Sequence, residues 1–401
     1  MPSIFNFFSR NGAFSLCSDQ SQPITKEGEF QGFYDGCLKS REGSLRNYGL
    51  DLLRMVSMYM VCMLHILGQG GILKATASNK ISNEVGLFFE IAAYCAVNCF
   101  SLISGYVGCR SSFKPRNLFR YWLQAVFYSF GIALIFRFTS PSSISLKELL
   151  KSLFPICTGE YWYLTAYALV FFLTPQMNFL LERQPKNTLR RLIWIFFGIF
   201  SVLAMIPFLS EISSPIIYGY SAIWLAYLYM VGGYIHLCGV SSLFPDISFV
   251  RAAWDRIPFR SQTKLFLAYL LCIVVTFLLY TEGHHLLMHT LGRDPYCQRY
   301  LSYNSPTILF AGLSLFVLFS RLNVSRIVAF IKVASPLAFG VYLIQCQTQI
   351  WNILFNAFKW VAELPIWLIP LAIIFIPLVI YAVCSVIDYM RLTLFKLLRL
   401  T

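Results

Sequence analysis

From residue 47 onward the chain alternates long apolar runs with short polar breaks. Ten runs, at about 17–25 residues each, are long enough to cross roughly 30 Å of hydrocarbon as helices. They cover approximately 47–68, 84–107, 118–138, 161–181, 189–209, 220–238, 264–281, 304–320, 335–356 and 365–389. A segment in lipid must satisfy its own backbone, which a helix does and an isolated strand does not. Gly131, Pro175, Gly232, Gly233, Pro370 and Pro377 fall inside runs, where neighbouring helices can re-satisfy the freed backbone groups. The pattern predicts an all-α fold, a polytopic membrane bundle of about ten transmembrane helices over residues 46–395. Residues 1–45 are mixed and polar with no signal-like apolar core, and are expected to form a partly disordered cytoplasmic tail.

Composition strengthens this picture. With 57% hydrophobic and only 12% charged residues, and a mean hydropathy of +0.63, the chain lies outside the range of an ordinary soluble domain. A net charge of +14 raises the question of nucleic acid. The cations come in short bursts between apolar runs rather than in one patch, so nucleic acid is not an expected partner and membrane lipid is. With the N-terminus inside, 23 of the 32 Lys and Arg residues fall on the cytoplasmic side and 8 on the other, with Arg54 inside the first run. The bias predicts cytoplasmic termini in a multi-pass membrane protein. Most of the 12 cysteines, among them Cys62, Cys95, Cys99, Cys272, Cys346 and Cys384, sit in apolar runs without a CxxC, and read as small buried hydrophobes.

The first run breaks the apolar pattern. It reads Arg46-Asn-Tyr-Gly-Leu-Asp51-Leu-Leu-Arg54, then continues to His65, Gly68, Gly70 and Gly71. Ionisable groups in hydrocarbon are costly and mark pathways or sites. Arg54 and His65 are separated by about 1100° of helical rotation, so they share a face at a spacing of about 16 Å. Asp51 precedes Arg54 by one turn, and pairing lowers the cost of burying either charge. On the predicted topology Arg54 lies toward the inner face and His65 toward the outer, with the glycines leaving space beside the imidazole.

Other stretches carry chemistry less directly. Arg110, Lys114, Arg116 and Arg120 form a basic loop after the second run. They suit either anionic lipid or the phosphates of a nucleotide-like ligand. Ser104 and Gly105, just before that loop, mark either a gap for such a ligand or close helix packing. Glu160 opens the fourth run at the predicted depth of His65, where a carboxylate can orient the ring and raise its basicity. His284, His285 and His289, followed by Arg293, Asp294 and Arg299, lack a further ligand set and read as a solvated loop, so no metal is expected. Gln345 and Gln349 stand four apart in the ninth run, on one helix face, as helix glue or cavity lining. An alternative class is a transporter or flippase with these groups along a substrate path, although no internal repeat is evident. A non-catalytic scaffold would leave Arg54 and His65 unexplained.

Taken in order, these residues resemble the membrane acyltransferase 3 family. The resemblance rests on Arg46 to Arg54, on Arg54 and His65 with ten residues between them, on Phe100-Ser-Leu-Ile-Ser-Gly-Tyr106, on Tyr161-Trp-Tyr-Leu leading to Thr174-Pro175-Gln-Met-Asn178, and on Phe339-Gly-Val-Tyr342-Leu-Ile. It implies transfer of an acyl group, commonly acetyl from acetyl-coenzyme A, to hydroxyls of extracytoplasmic or lipid-linked carbohydrate. It implies Arg54 and His65 as the essential pair; Glu160 joins them as a catalytic candidate on its predicted depth alone. His65 would be general base or transient acyl carrier, and Arg54 would fix the donor or offset negative charge. The donor site would be the basic loop, where Arg116 and Arg120 are one residue wider than the family's RxxR. Gln345 stands where the family often has a histidine.

Overall fold

The computed structural model describes residues 46–140, 144–206, 216, 218–244, 261–291 and 297–400, without the side chains of 284–291 and 297–298. The expected tail, His284, His285, His289, Arg293 and Asp294 lie outside the described residues or side chains. Among the described residues the chain is helical and contains no strand. The helices are α1 (Tyr48–Leu67), α2 (Ile72–Thr76), α3 (Lys80–Tyr94), α4 (Ala96–Gly108), α5 (Pro115–Thr139), α6 (Leu146–Lys151), α7 (Trp162–Arg183) and α8 (Lys186–Phe197). They continue as α9 (Ala222–Cys238), α10 (Ser261–Leu291), α11 (Cys297–Tyr300), α12 (Pro306–Ser320), α13 (Val328–Ala334), α14 (Ala338–Gln345), α15 (Thr348–Leu354) and α16 (Leu368–Leu397).

Eight helical stretches among the described residues are long and apolar enough to span a membrane. They are α1, α3 with α4, α5, α7, α8 with its continuation to Met205, Ser261–Gly283 of α10, Ser325–Gln345 and α16. The apolar helices α9 and α12 are shorter, at 17 and 15 residues.

Helix α1 is packed by α3, α4, α12, α14 and α16. Its start is pinned by Asn47, whose Oδ1 accepts from the Leu50 N–H (3.2 Å) while Nδ2 donates to the Ser320 carbonyl at the end of α12 (2.9 Å). Gly49 permits that approach, since a Cβ there would stand 2.0 Å from the Phe319 carbonyl oxygen. Helices α4 and α9 meet backbone to backbone: a Cβ at Gly105 would lie 1.9 Å from the Tyr229 carbonyl oxygen, and one at Gly232 2.1 Å from that of Leu102. Gly105 thus serves close packing of α4 against α9. Ser104 Oγ donates within its own helix to Phe100 O (2.9 Å).

The chain's polarity is turned inward. Asp51, Asn98, Gln345, Asp388 and Arg391 are buried, whereas Phe375, Val379, Val383, Val386 and Met390 line an exposed face of α16. In lipid this distribution leaves apolar side chains on the solvent side and polar ones only where protein partners exist. Asp388 illustrates it. Its carboxylate accepts from Arg391 Nε and Nη2 (3.0 and 2.9 Å), Tyr128 Oη (2.7 Å) and Gln124 Nε2 (3.2 Å). A Cβ on Gly340 of α14 would collide with it at 2.1 Å. Elsewhere α8 widens into a π-helical turn at Gly198–Val202, where Asn304 Nδ2 takes up the Phe200 carbonyl (2.7 Å).

Candidate active site

The polar face of α1 forms as its spacing predicts. Arg54 Nη1 and Asp51 Oδ1 pair at 2.7 Å, with the carboxylate nearly buried and the arginine side chain 32% exposed. The guanidinium therefore retains an open side for a ligand. It lies within electrostatic reach of the Tyr121 and Tyr163 phenols. Tyr163 in turn meets Tyr342 edge-to-face at 6.1 Å, and Tyr342 interacts with the Cys346 thiol. An aromatic row thus leads from Arg54 to the other end of the helix.

At that end stands His65. Its Nδ1 donates to Gln345 Oε1 (2.8 Å), while Gln345 Nε2 donates to Cys62 Sγ (2.7 Å). The amide is held from both sides, so Nδ1 carries the proton and Nε2 keeps its lone pair. That nitrogen faces Cys346 Sγ at 3.9 Å. The ring is further fixed by the Trp351 indole, edge-to-face with centroids 4.9 Å apart.

Gln345 and Cys346 occupy a break in the ninth predicted run. Instead of one helix over 335–356, α14 ends at Gln345 and α15 restarts at Thr348, with Gln347 Oε1 capping the Gln349 and Ile350 N–H groups (3.0 and 3.2 Å). Gln345 and Gln349 therefore lie on different helices, and the expectation that they share a face is corrected. Glu160 explains part of the break: it accepts from Thr348 N–H (3.1 Å) and Thr348 Oγ1 (3.0 Å), and from Ser129 Oγ. A carboxylate suits the positive start of a helix. The expected Glu160–His65 pair is not formed, because the carboxylate is taken up by α15 and α5, and Gln345 orients the imidazole instead.

The glycines after His65 also act differently from expectation. Asn356 N–H donates to Gln69 O and Phe358 N–H to Gly70 O, both at 2.9 Å. A Cβ on Gly70 would meet Phe358 Cδ2 at 2.7 Å, and Gly71 adopts φ +83. Their small size admits this segment rather than leaving open space.

Arg110, Lys114, Arg116 and Arg120 are all exposed. Lys114 precedes the first turn of α5, and Arg116 and Arg120 are one turn apart on it. Asn178 of α7 secures this loop: Nδ2 donates to Gly108 O (3.0 Å) and Ser111 O (3.3 Å), and Oδ1 accepts from Tyr229 Oη (2.9 Å). Sequence reasoning gave no site role to Trp351 or the Asp388–Arg391 pair, met Asn178 only as the end of a motif, and read Cys346 as a small buried hydrophobe, whereas it is partly accessible. Only the Asp388–Arg391 pair carried a local signal, the same acid-to-arginine spacing of three residues seen at Asp51 and Arg54. Among the described residues no group of three or more His, Cys, Asp or Glu is arranged to hold a metal.

Fold and site together define an integral-membrane helical bundle organised around a half-buried acid–arginine pair and an oriented imidazole. A family model described as an acyltransferase domain matches residues 47–388. The chain belongs to that family, the acyltransferase 3 family its motifs resemble, and is a multi-pass membrane acyltransferase by membership. Neither the curated proteins nor the solved structures contain a match to it.

Proposed function

We propose that the protein is an O-acyltransferase of the bacterial inner membrane. It moves an acyl group, acetyl foremost, from cytoplasmic acyl-coenzyme A to a hydroxyl of an extracytoplasmic or lipid-linked carbohydrate. The observation that carries this reading is the His65–Gln345 hydrogen bond, which leaves Nε2 as a directed base within a membrane bundle. Without such a base a carbohydrate hydroxyl is a weak nucleophile at neutral pH.

The remaining parts fall around it. Arg110, Lys114, Arg116 and Arg120 supply four exposed cations for the donor's phosphates. Arg54, open on one side and anchored by Asp51 on the other, fixes the donor at the inner end of α1. The cation count of the loops directs the basic loop and Arg54 inward and His65 outward. At the His65 end, the half-exposed rings of Tyr94, Trp162 and Tyr220 cluster around Tyr303. They offer apolar faces with polar edges to a sugar. Family membership runs against a transporter, in which these groups would make and break no bond.

Mass spectrometry of surface glycans and glycolipids from cells with and without the protein tests the reading. Acetyl esters are expected only with the protein, and identical ester content in both would refute it.

A further inference from the structure

The site holds a second nucleophile that the reading above leaves unused. Cys346 Sγ lies 3.9 Å from His65 Nε2, and the opposite ring nitrogen is held by Gln345 at 2.8 Å. Nucleophile, base and orienting amide are thus lined up in the order that activates a thiol. Cys346 differs from the cysteines packed in the core: it is partly accessible, whereas Cys62, Cys95, Cys99 and Cys109 are buried. It also sits where the ninth run is broken, as the C-cap of α14, with only Gln347 between it and α15. A thiol packed only for volume would not need to face the lone pair of an oriented imidazole.

We infer that Cys346 is a covalent acyl carrier, accepting the acyl group from the donor thioester and passing it to the acceptor hydroxyl. This rests on the acyltransferase reading above. In the first half, His65 Nε2 takes the Cys346 proton and Sγ attacks the acyl carbonyl. The carbonyl carbon's bond to the coenzyme A sulfur breaks, and the departing thiolate takes the proton back from His65. One thioester is exchanged for another, so this half is close to balanced in free energy. In the second half, His65 Nε2 takes the proton of the acceptor hydroxyl and the oxygen attacks the Cys346 thioester. The carbon–Sγ bond breaks and the proton returns to Sγ. No further reactant is required. The carrier also divides the transfer in two, so that donor and acceptor need not occupy the site together.

The test uses the full chain, purified in detergent and incubated with radiolabelled acetyl-coenzyme A without an acceptor. The same protein in its membranes serves as the transfer control. One acetyl per chain is expected on the peptide containing Cys346, released by neutral hydroxylamine as a thioester is and an oxygen ester is not. Cys346→Ala is expected to lose this label, and its transfer to membrane glycan is expected to fall by at least about 10²-fold. If that variant does not accumulate in the membrane, peptide mapping of the unaltered chain decides alone. Glycan labelling with no thioester on the chain, or undiminished transfer by Cys346→Ala, would overturn the carrier and leave the acyltransferase reading intact. Absence of label from both protein and glycan would overturn the two together.

Discussion

An imidazole becomes a directed base only when its other nitrogen is held, and in this bundle the holder is an amide rather than a carboxylate. Gln345 grips His65 Nδ1 on one side and donates to Cys62 on the other, which fixes the ring without adding charge in a low-dielectric site. Gln345→Ala is expected to lower kcat by about 10–10²-fold, since the ring loses its orientation and tautomer. Gln345→Glu gives a sharper readout. A carboxylate on Nδ1 stabilises the imidazolium, so the base form appears only at higher pH. The acidic limb of the pH–rate profile should move upward with much of kcat retained, whereas a purely structural role would leave that limb in place. Arg54 and His65 were legible in the sequence because a single helix carries both, and its period fixes their common face. Gln345 as the partner was not, because it is 280 residues away and only tertiary packing brings it there.

Individual helices show how small residues and buried charges set the bundle. Gly105→Ala forces a methyl group to within 1.9 Å of the Tyr229 carbonyl oxygen. The α4–α9 pair should open, at a cost of about 1–3 kcal/mol, read as earlier thermal unfolding of the detergent-solubilised protein. Gly131→Ala on α5 meets nothing within 4 Å and should leave the transition unchanged to within about 0.5 kcal/mol. On α16, Asp388→Ala would strand Arg391, which is only 7% exposed, at a cost of about 3–5 kcal/mol. Replacing both by leucine should restore much of that loss in the same assay. Among the described residues most helix positions followed from run length, and the ninth run misled most. Apolar content continues through Cys346, while the break depends on Glu160 and Gln347 capping the restart at Thr348. Glu160 belongs to another helix, so its contact was invisible to a local reading.

The bundle places a basic loop and a half-buried arginine toward one end of α1 and an oriented imidazole at the other. The account gives these ends different substrates. Charge reversal at Arg116 and Arg120 should therefore raise KM for acetyl-coenzyme A at least about tenfold with little change in kcat, and the effect should shrink as salt is added. Substitutions at His65 should instead lower kcat. The distribution of Lys and Arg among the loops motivates this proposed division, while the aromatic contacts between the ends depend on packing between α7 and α14. The most direct measurement is acetyl transfer in membranes holding equal amounts of the unaltered chain, His65→Ala or Arg54→Ala, supplied with radiolabelled acetyl-coenzyme A. The account predicts alkali-labile label in the glycan fraction for the unaltered chain and none for either variant. Equal labelling by His65→Ala would contradict it.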